Sequence, residues 1–209
     1  MKSKNLLIVF AKNIMHGKVK TRLAKTIGDD AAFDVYAHLV EITERESNKM
    51  TNCDVHIYFS DAIINTLWPN KNKYVQRGND LGERMMNAFQ DSFDQGYEHV
   101  IGVGADLPDL TIEIMTEGLE VLNSNDSVFG PSEDGGYYLI GMNALIPCIF
   151  TNKPWSTNTL LDLTMKELKE LNYSTQLLKE LNDVDTIEDL KKSSIVQRFQ
   201  HLLTNNTKN

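Results

Sequence analysis

The hydrophobic positions of this chain fall into two kinds of run. Five are short and nearly continuous: residues 6–10, 55–59, 100–103, 127–129 and 137–140. Apolar runs of that length predict buried β-strands. Between them the apolar positions open out to helical spacing. Leu81, Met85, Ala88, Phe89 and Phe93 share one face over residues 81–95, and Ile112, Met115, Leu119 and Leu122 do so over 112–123. Residues 160–171 repeat the pattern. Asp80 with Glu83 fits a variant capping box ahead of the first of these helices, and Gly96 fits its stop. Strands alternating with helices imply crossovers, hence a mostly parallel sheet covered on both faces. With no internal repeat, low-complexity tract or linker, residues 1–209 are expected to form a single three-layer α/β domain.

Ligands of such sheets sit beyond the carboxyl ends of the strands, where the strand order switches. Two common tenants are excluded by spacing. No Gly-x-Gly-x-x-Gly follows the first strand, which argues against a dinucleotide oxidoreductase. Gly17-Lys18 has Lys12 where a phosphate-binding loop needs its first glycine, and Val19 where it needs a hydroxyl for magnesium.

Composition narrows the partner more than the fold. Hydrophobic residues make up 41% and charged residues 24%, as in ordinary globular chains. The longest early apolar run, residues 6–11, is too short for a signal peptide's core or a membrane span. Cys53 and Cys148 lack metal-ligand spacing and fit reduced thiols in a cytoplasmic protein. The net charge of −8 conceals an asymmetry: residues 1–28 hold six Lys, one Arg and no acid. Beyond Gly28, 14 basic residues face 29 acidic ones. A chain this acidic is expected to repel a nucleic-acid backbone, whereas one basic segment suits a small anion.

Three constellations carry candidate chemistry. After the first strand, Lys12, Gly17, Lys18, Lys20, Thr21 and Arg22 read as a polyphosphate cradle, with ammonium point charges, a guanidinium fork and a glycine that lets backbone N–H groups approach. The same residues also fit a solvated basic loop. Asp106 follows a strand end near that loop, where a carboxylate can hold Mg²⁺ or Mn²⁺ against phosphate. Asp185 reads either as a second ligand or, with Glu188, as a helix cap. Around Asp134-Gly135-Gly136 the pattern is a turn first, with Asp134 a candidate base or acceptor anchor.

Taken together, "GKVKTRL" (17–23), "NDLGERMMNAF" (79–89), "GADLPDL" (104–110), "GPSEDGGYYLIGM" (130–142), "PWST" (154–157) and "DVDTIEDL" (183–190) resemble one family across nearly the whole chain. It is the bacterial glycosyltransferase-like family that includes arsenosugar-biosynthesis glycosyltransferases. The resemblance implies the nucleotide-diphospho-sugar transferase (GT-A) fold, which also serves guanylyltransferases for phospholactate and the molybdenum cofactor. It implies phosphate contacts from residues 17–22, a base site near Leu81 and Gly82, and metal ligation by Asp106 with Asp185. Gly135, Gly136, Trp155, Ser156 and Thr157 would line the acceptor side. One departure stands out: Asp106 is followed by Leu-Pro-Asp, not by the Asp-x-Asp usual in such glycosyltransferases. The expectation is a metal-dependent glycosyltransferase using a nucleotide sugar and a small-molecule acceptor. The alternatives are a nucleotidyltransferase that takes an NTP and releases pyrophosphate, and a non-catalytic nucleotide-binding protein.

Overall fold

The structure, a computed structural model, describes residues 3–13 and 19–204. The predicted strand runs are all strands: β1 (Asn5–Ala11), β2 (Asp54–Phe59), β4 (His99–Gly104), β5 (Ser127–Pro131) and β6 (Tyr137–Met142). Two edge strands join them, β3 (Asn72–Val75) and β7 (Thr175–Leu177). Among the described residues these form one sheet in the order β3-β2-β1-β4-β6-β5-β7, in which only β6 runs antiparallel to its neighbours.

The helices are α1 (Thr21–Ile27), α2 (Asp29–Asn48), α3 (Leu81–Asp94), α4 (Ile112–Val121), α5 (Leu160–Glu170), α6 (Ile187–Lys192) and α7 (Gln200–Thr204). None of the described helices is long and apolar enough to cross a membrane. Alternation along β1 sorts the core into two layers. Leu7, Val9 and Ala11 pack with Tyr36 and Val40 of α2 and Met115 and Leu119 of α4. Leu6 and Ile8 face the other way, onto Met85 and Phe89 of α3 and Leu168 of α5. A third cluster lies outside the sheet, where Leu23 of α1, Val35 and Leu39 of α2, Val184 and Leu190 meet. It fixes α1 beside the segment that precedes α6.

The helix termini obey local chemistry. Asp80 accepts from the Glu83 N–H at 2.8 Å, while the Glu83 carboxylate takes the N–H of Asn79, one residue earlier than a standard capping box. Gly96 follows α3 with φ of 87°, a left-handed stop natural to glycine. Thr111 caps α4.

The sheet order sets where function can sit. The chain runs outward from β1 to β2 and β3, then returns to place β4 on the other side of β1. That reversal opens a crevice beyond the carboxyl ends of β1 and β4. Because β5 and β7 run with β4, the connections after β1, β4, β5 and β7 gather at this one edge.

Candidate functional site

Four connections deliver charged side chains to the crevice. Asp106 leaves the end of β4 and Lys12 the end of β1. The Tyr36 hydroxyl holds Lys12 by both backbone groups, accepting from its N–H at 3.1 Å and donating to its carbonyl at 3.2 Å. Lys20 stands just ahead of α1, and its ammonium reaches Asp185 Oδ1 at 2.8 Å, Asp106 Oδ2 at 3.0 Å and Asp183 Oδ2 at 3.9 Å. The Lys20 side chain is only 4% exposed. Its backbone is left-handed, with φ and ψ both 47°, a conformation that costs a non-glycine residue about 1–2 kcal/mol. Tertiary packing and the three carboxylates hold it there.

The oxygens of Asp106, Asp183 and Asp185 lie within 4.8 Å of one another, close enough to share a metal ion. The charges respond to one another. Burial alone would depress the Lys20 ammonium, but the three carboxylates push its pKa well above the ordinary lysine value. Burial likewise works against the Asp106 charge, yet Lys20, with help from Lys12, holds that carboxyl below its usual range. Asp183 goes the other way. Burial, reinforced by the charges of Asp185, Asp106 and Asp134, raises it to about 7 despite Lys20.

Asp185 is not a cap. Thr186 takes that role, its hydroxyl accepting from the Asp189 N–H while Asp189 accepts from the Thr186 N–H at 2.7 Å. This frees the Asp185 carboxylate for Lys20. Asp183 escaped the sequence reading although its signal was present. In Asp183-Val184-Asp185 the central valine is fully buried in the third cluster, while both flanking carboxylates face Lys20. An Asp-x-Asp thus stands at residues 183–185, beside Asp106.

Two adjoining cavities meet at Asp106. One, of about 230 Å³, lies between Leu81, Asp134, Gly136, Trp155, Ser156 and Thr157. The other, of about 250 Å³, lies among Phe10, Lys12, Tyr36, Gln76 and Leu81. Tyr137 borders both, and its buried hydroxyl has no hydrogen-bond partner among the described residues. The Gln76 side chain donates Nε2 to the Tyr58 carbonyl at 2.9 Å. A carbonyl can only accept, so Oε1 is the end that remains as an acceptor. A larger cavity, of about 660 Å³, opens elsewhere and meets the three carboxylates only at Asp183.

The remaining predicted residues divide. Asp134 spends Oδ1 on the Ser132 hydroxyl and the Gly136 N–H, which makes it a turn former, and it also borders the first cavity. Gly135 is left-handed at φ of 82°, and a side chain there would strike the Asn158 backbone. Gly82 is packed beneath the Phe150 carbonyl and the Trp155 ring, while Leu81, next to it, is exposed at the rim. Arg22 is exposed and opens onto a small cleft with Asp134, Asp183 and Asp185. Thr21 is exposed in the first turn of α1, and Gly17 and Lys18 lie outside the described residues.

Known structures repeat this architecture. A "putative nucleotide-diphospho-sugar transferase" from Desulfovibrio desulfuricans G20 is 29% identical over 98% of both chains, with a TM-score of 0.89. More distant is the 4-diphosphocytidyl-2C-methyl-D-erythritol synthase of Anaerococcus prevotii DSM 20548, 11% identical over 94% of this chain and all of that one, with a TM-score of 0.61. A CMP:2-keto-3-deoxy-manno-octonic acid synthetase complexed with CTP is 11% identical over 95% of this chain and 99% of its own, with a TM-score of 0.58. These last two share the fold. No curated protein matches the sequence. The model of the family described as "Uncharacterized protein conserved in bacteria (DUF2064)" matches residues 44–157, more than half of the chain, and the protein therefore belongs to that family, built on the nucleotide-diphospho-sugar transferase fold.

Proposed function

We propose that this transferase is a divalent-metal-dependent glycosyltransferase acting on a nucleotide-diphospho-sugar and a small-molecule acceptor. The observation that carries the proposal is the convergence of Asp106, Asp183 and Asp185, with Asp106 bordering both cavities and Asp183 the first. Three carboxylates form a hard oxygen set suited to Mg²⁺ or Mn²⁺, and a cation, the Lys20 ammonium, already stands among them. A divalent ion held there would offset negative charge on a diphosphate leaving group. The full-length likeness to the D. desulfuricans protein supports the donor class.

The chain's own residues have assignable tasks. Lys12, which lines the second cavity with Asp106, and Arg22, which shares a cleft with Asp183 and Asp185, would bind the phosphates. Tyr36 fixes the Lys12 backbone, so the end of β1 is preorganised. The Gln76 carboxamide and Leu81 would hold the base in the second cavity. Trp155, Ser156 and Thr157 would wall the acceptor, and Asp134 would orient its hydroxyl or take its proton. Two of the Asp134 carboxylate's lone-pair sites are committed to the turn, and a carboxylate has about four.

One observation favours a second reading. The Asp-x-Asp pair sits at 183–185 and not at 106, an arrangement equally suited to nucleotidyl transfer, in which an acceptor attacks an NTP and pyrophosphate leaves. A panel of nucleoside diphosphates, their sugar conjugates and NTPs, screened in Mn²⁺ and Mg²⁺, separates the readings. A ligand at a hundredfold excess over Kd adds ~2.7 kcal/mol of stability. For a chain of this length that moves Tm by roughly 5–10 °C. A shift with a nucleoside diphosphate or its sugar conjugate, reduced by EDTA, is the expected result. A shift with triphosphates alone, with pyrophosphate on turnover, replaces glycosyl with nucleotidyl transfer, and no shift with any nucleotide removes both.

A further inference from the structure

Lys20 occupies the place that the preceding reading gives to a metal. Its Nζ lies 2.8 and 3.0 Å from oxygens of Asp185 and Asp106, and 3.9 Å from Asp183. A magnesium ion needs oxygens at about 2.0–2.1 Å in near-octahedral order, with much of its water retained. An ammonium hydrogen-bonded to the same carboxylates fills that space and repels a second cation. The two can share the site only if a further anion comes between them, and a ligand phosphate is such an anion.

The local fold gives the ammonium room to choose. The cluster around Leu23 and Val184 fixes α1 against the 183–185 segment, so Asp183, Asp185 and the Lys20 backbone keep their spacing. Only the flexible four-carbon stem has to swing. The left-handed Lys20 backbone makes no side-chain cap to α1, so the helix does not depend on where the ammonium points.

We infer that Lys20 is an internal counter-ion that keeps the three-carboxylate site closed to metal until a phosphate-bearing ligand draws the ammonium away, so that metal and ligand bind as a coupled pair. The inference rests on the reading of Asp106, Asp183 and Asp185 as the metal site. Linkage requires the coupling to be reciprocal: the ligand strengthens metal binding by the factor with which metal strengthens ligand binding. Lys20 is then a positioning residue with two alternative anionic partners.

The test measures Mn²⁺ affinity by the electron paramagnetic resonance of the free ion, in wild type and in Lys20→Met. Each is measured with and without inorganic pyrophosphate at matched free Mn²⁺. Lys20→Met is expected to bind Mn²⁺ alone more tightly than wild type by on the order of tenfold, within the range usual for coupled sites. Pyrophosphate should tighten Mn²⁺ on wild type and change Lys20→Met little. Equal Mn²⁺ affinities without pyrophosphate, or equal tightening by it, overturn the inference and leave the metal site standing. No Mn²⁺ on either protein, even with pyrophosphate, overturns the metal site and the inference together. Should Lys20→Met fail to fold, wild type still decides. Its Tm should rise with Mn²⁺ plus pyrophosphate well beyond the rise with Mn²⁺ alone, and equal rises contradict the inference.

Discussion

Among the described residues, Lys20 and Lys153 bury their side chains almost completely, and their surroundings differ in kind. Lys153, 1% exposed, meets one half-exposed carboxylate, Glu167, at 2.6 Å. Lys20, 4% exposed, meets three. The first pair is balanced. It braces the start of the 153–157 loop against α5, and the Lys153 carbonyl accepts from the Trp155 N–H, which helps set that ring over Gly82. The second group carries an excess of negative charge that one ammonium does not cancel, and the molecule concentrates this excess where two cavities open. Burying like charges together is costly, and neutral residues would fill the space more cheaply. An ion pair that closes on itself is architecture. One that leaves charge unanswered beside a cavity invites a ligand.

Substitutions can break this contrast, and the largest effect is expected at Asp106. Asp106→Asn keeps the shape and removes a charged ligand. Losing one preorganised electrostatic partner costs ~3 kcal/mol, about a hundredfold in rate. Turnover and the metal-dependent ligand shift in Tm should fall at least that far while the fold survives, as circular dichroism would verify. Near wild-type turnover in Mn²⁺ or Mg²⁺ would refute the assignment.

Lys153→Met tests the balanced pair. Glu167 is half in water and can be rehydrated, so the loss should be about 1–2 kcal/mol of stability. That is several degrees of Tm for a chain of this length. Below the new Tm, Mn²⁺ affinity should be unchanged. A variant that folds as before but loses metal would erase the distinction between the two lysines.

Arg22→Ala should weaken a nucleoside diphosphate by about tenfold, the worth of one charge-assisted contact, as calorimetry would measure. Lys4→Ala should change it little, because Lys4 pairs with Glu98 on the exposed surface. Equal losses would point to a diffuse basic field and not to a cradle.

The remaining effect is a pH slope. Burial and the neighbouring carboxylates push Asp183 up to about 7 in the folded chain, against an ordinary 3.8. Between those values the folded state holds a proton that the unfolded state has lost, so stability falls as pH rises from about 4 to about 7. In metal-free protein, Asp183→Asn should flatten that part of the Tm profile. An identical slope in the variant would mean that other groups produce it.

What the sequence could reveal followed locality. Strands buried on both faces are continuous apolar runs, so β1, β2, β4, β5 and β6 were legible. The edge strands β3 and β7 are short and polar, Asn72-Lys73-Tyr74-Val75 and Thr175-Gln176-Leu177, and offer little pattern. The longest helix, α2, went unread because charges interleave its apolar positions, although Val35, Tyr36, Leu39 and Ile42 keep helical spacing. At the site, Asp106 was legible as a carboxylate at a strand end, and Asp185 by resemblance. Asp183 was missed because a helix-cap reading absorbed that stretch. Lys20 was expected to meet phosphate, and its present partners could not be foreseen from spacing, since Asp106 and Asp185 lie 86 and 165 residues away in sequence. The pairing of β4 with β1 places Asp106 there, and the third core cluster, which packs Leu23 against Val184, places Asp185.

The most direct test of the central claim is the position of a bound cation. Crystals grown with Mn²⁺ and a nucleoside diphosphate should give an anomalous peak ligated by Asp106 and by at least one of Asp183 and Asp185, with ligand phosphate oxygens completing the shell. A peak at another group of residues, or a bound nucleotide whose phosphates avoid these three carboxylates, would contradict it.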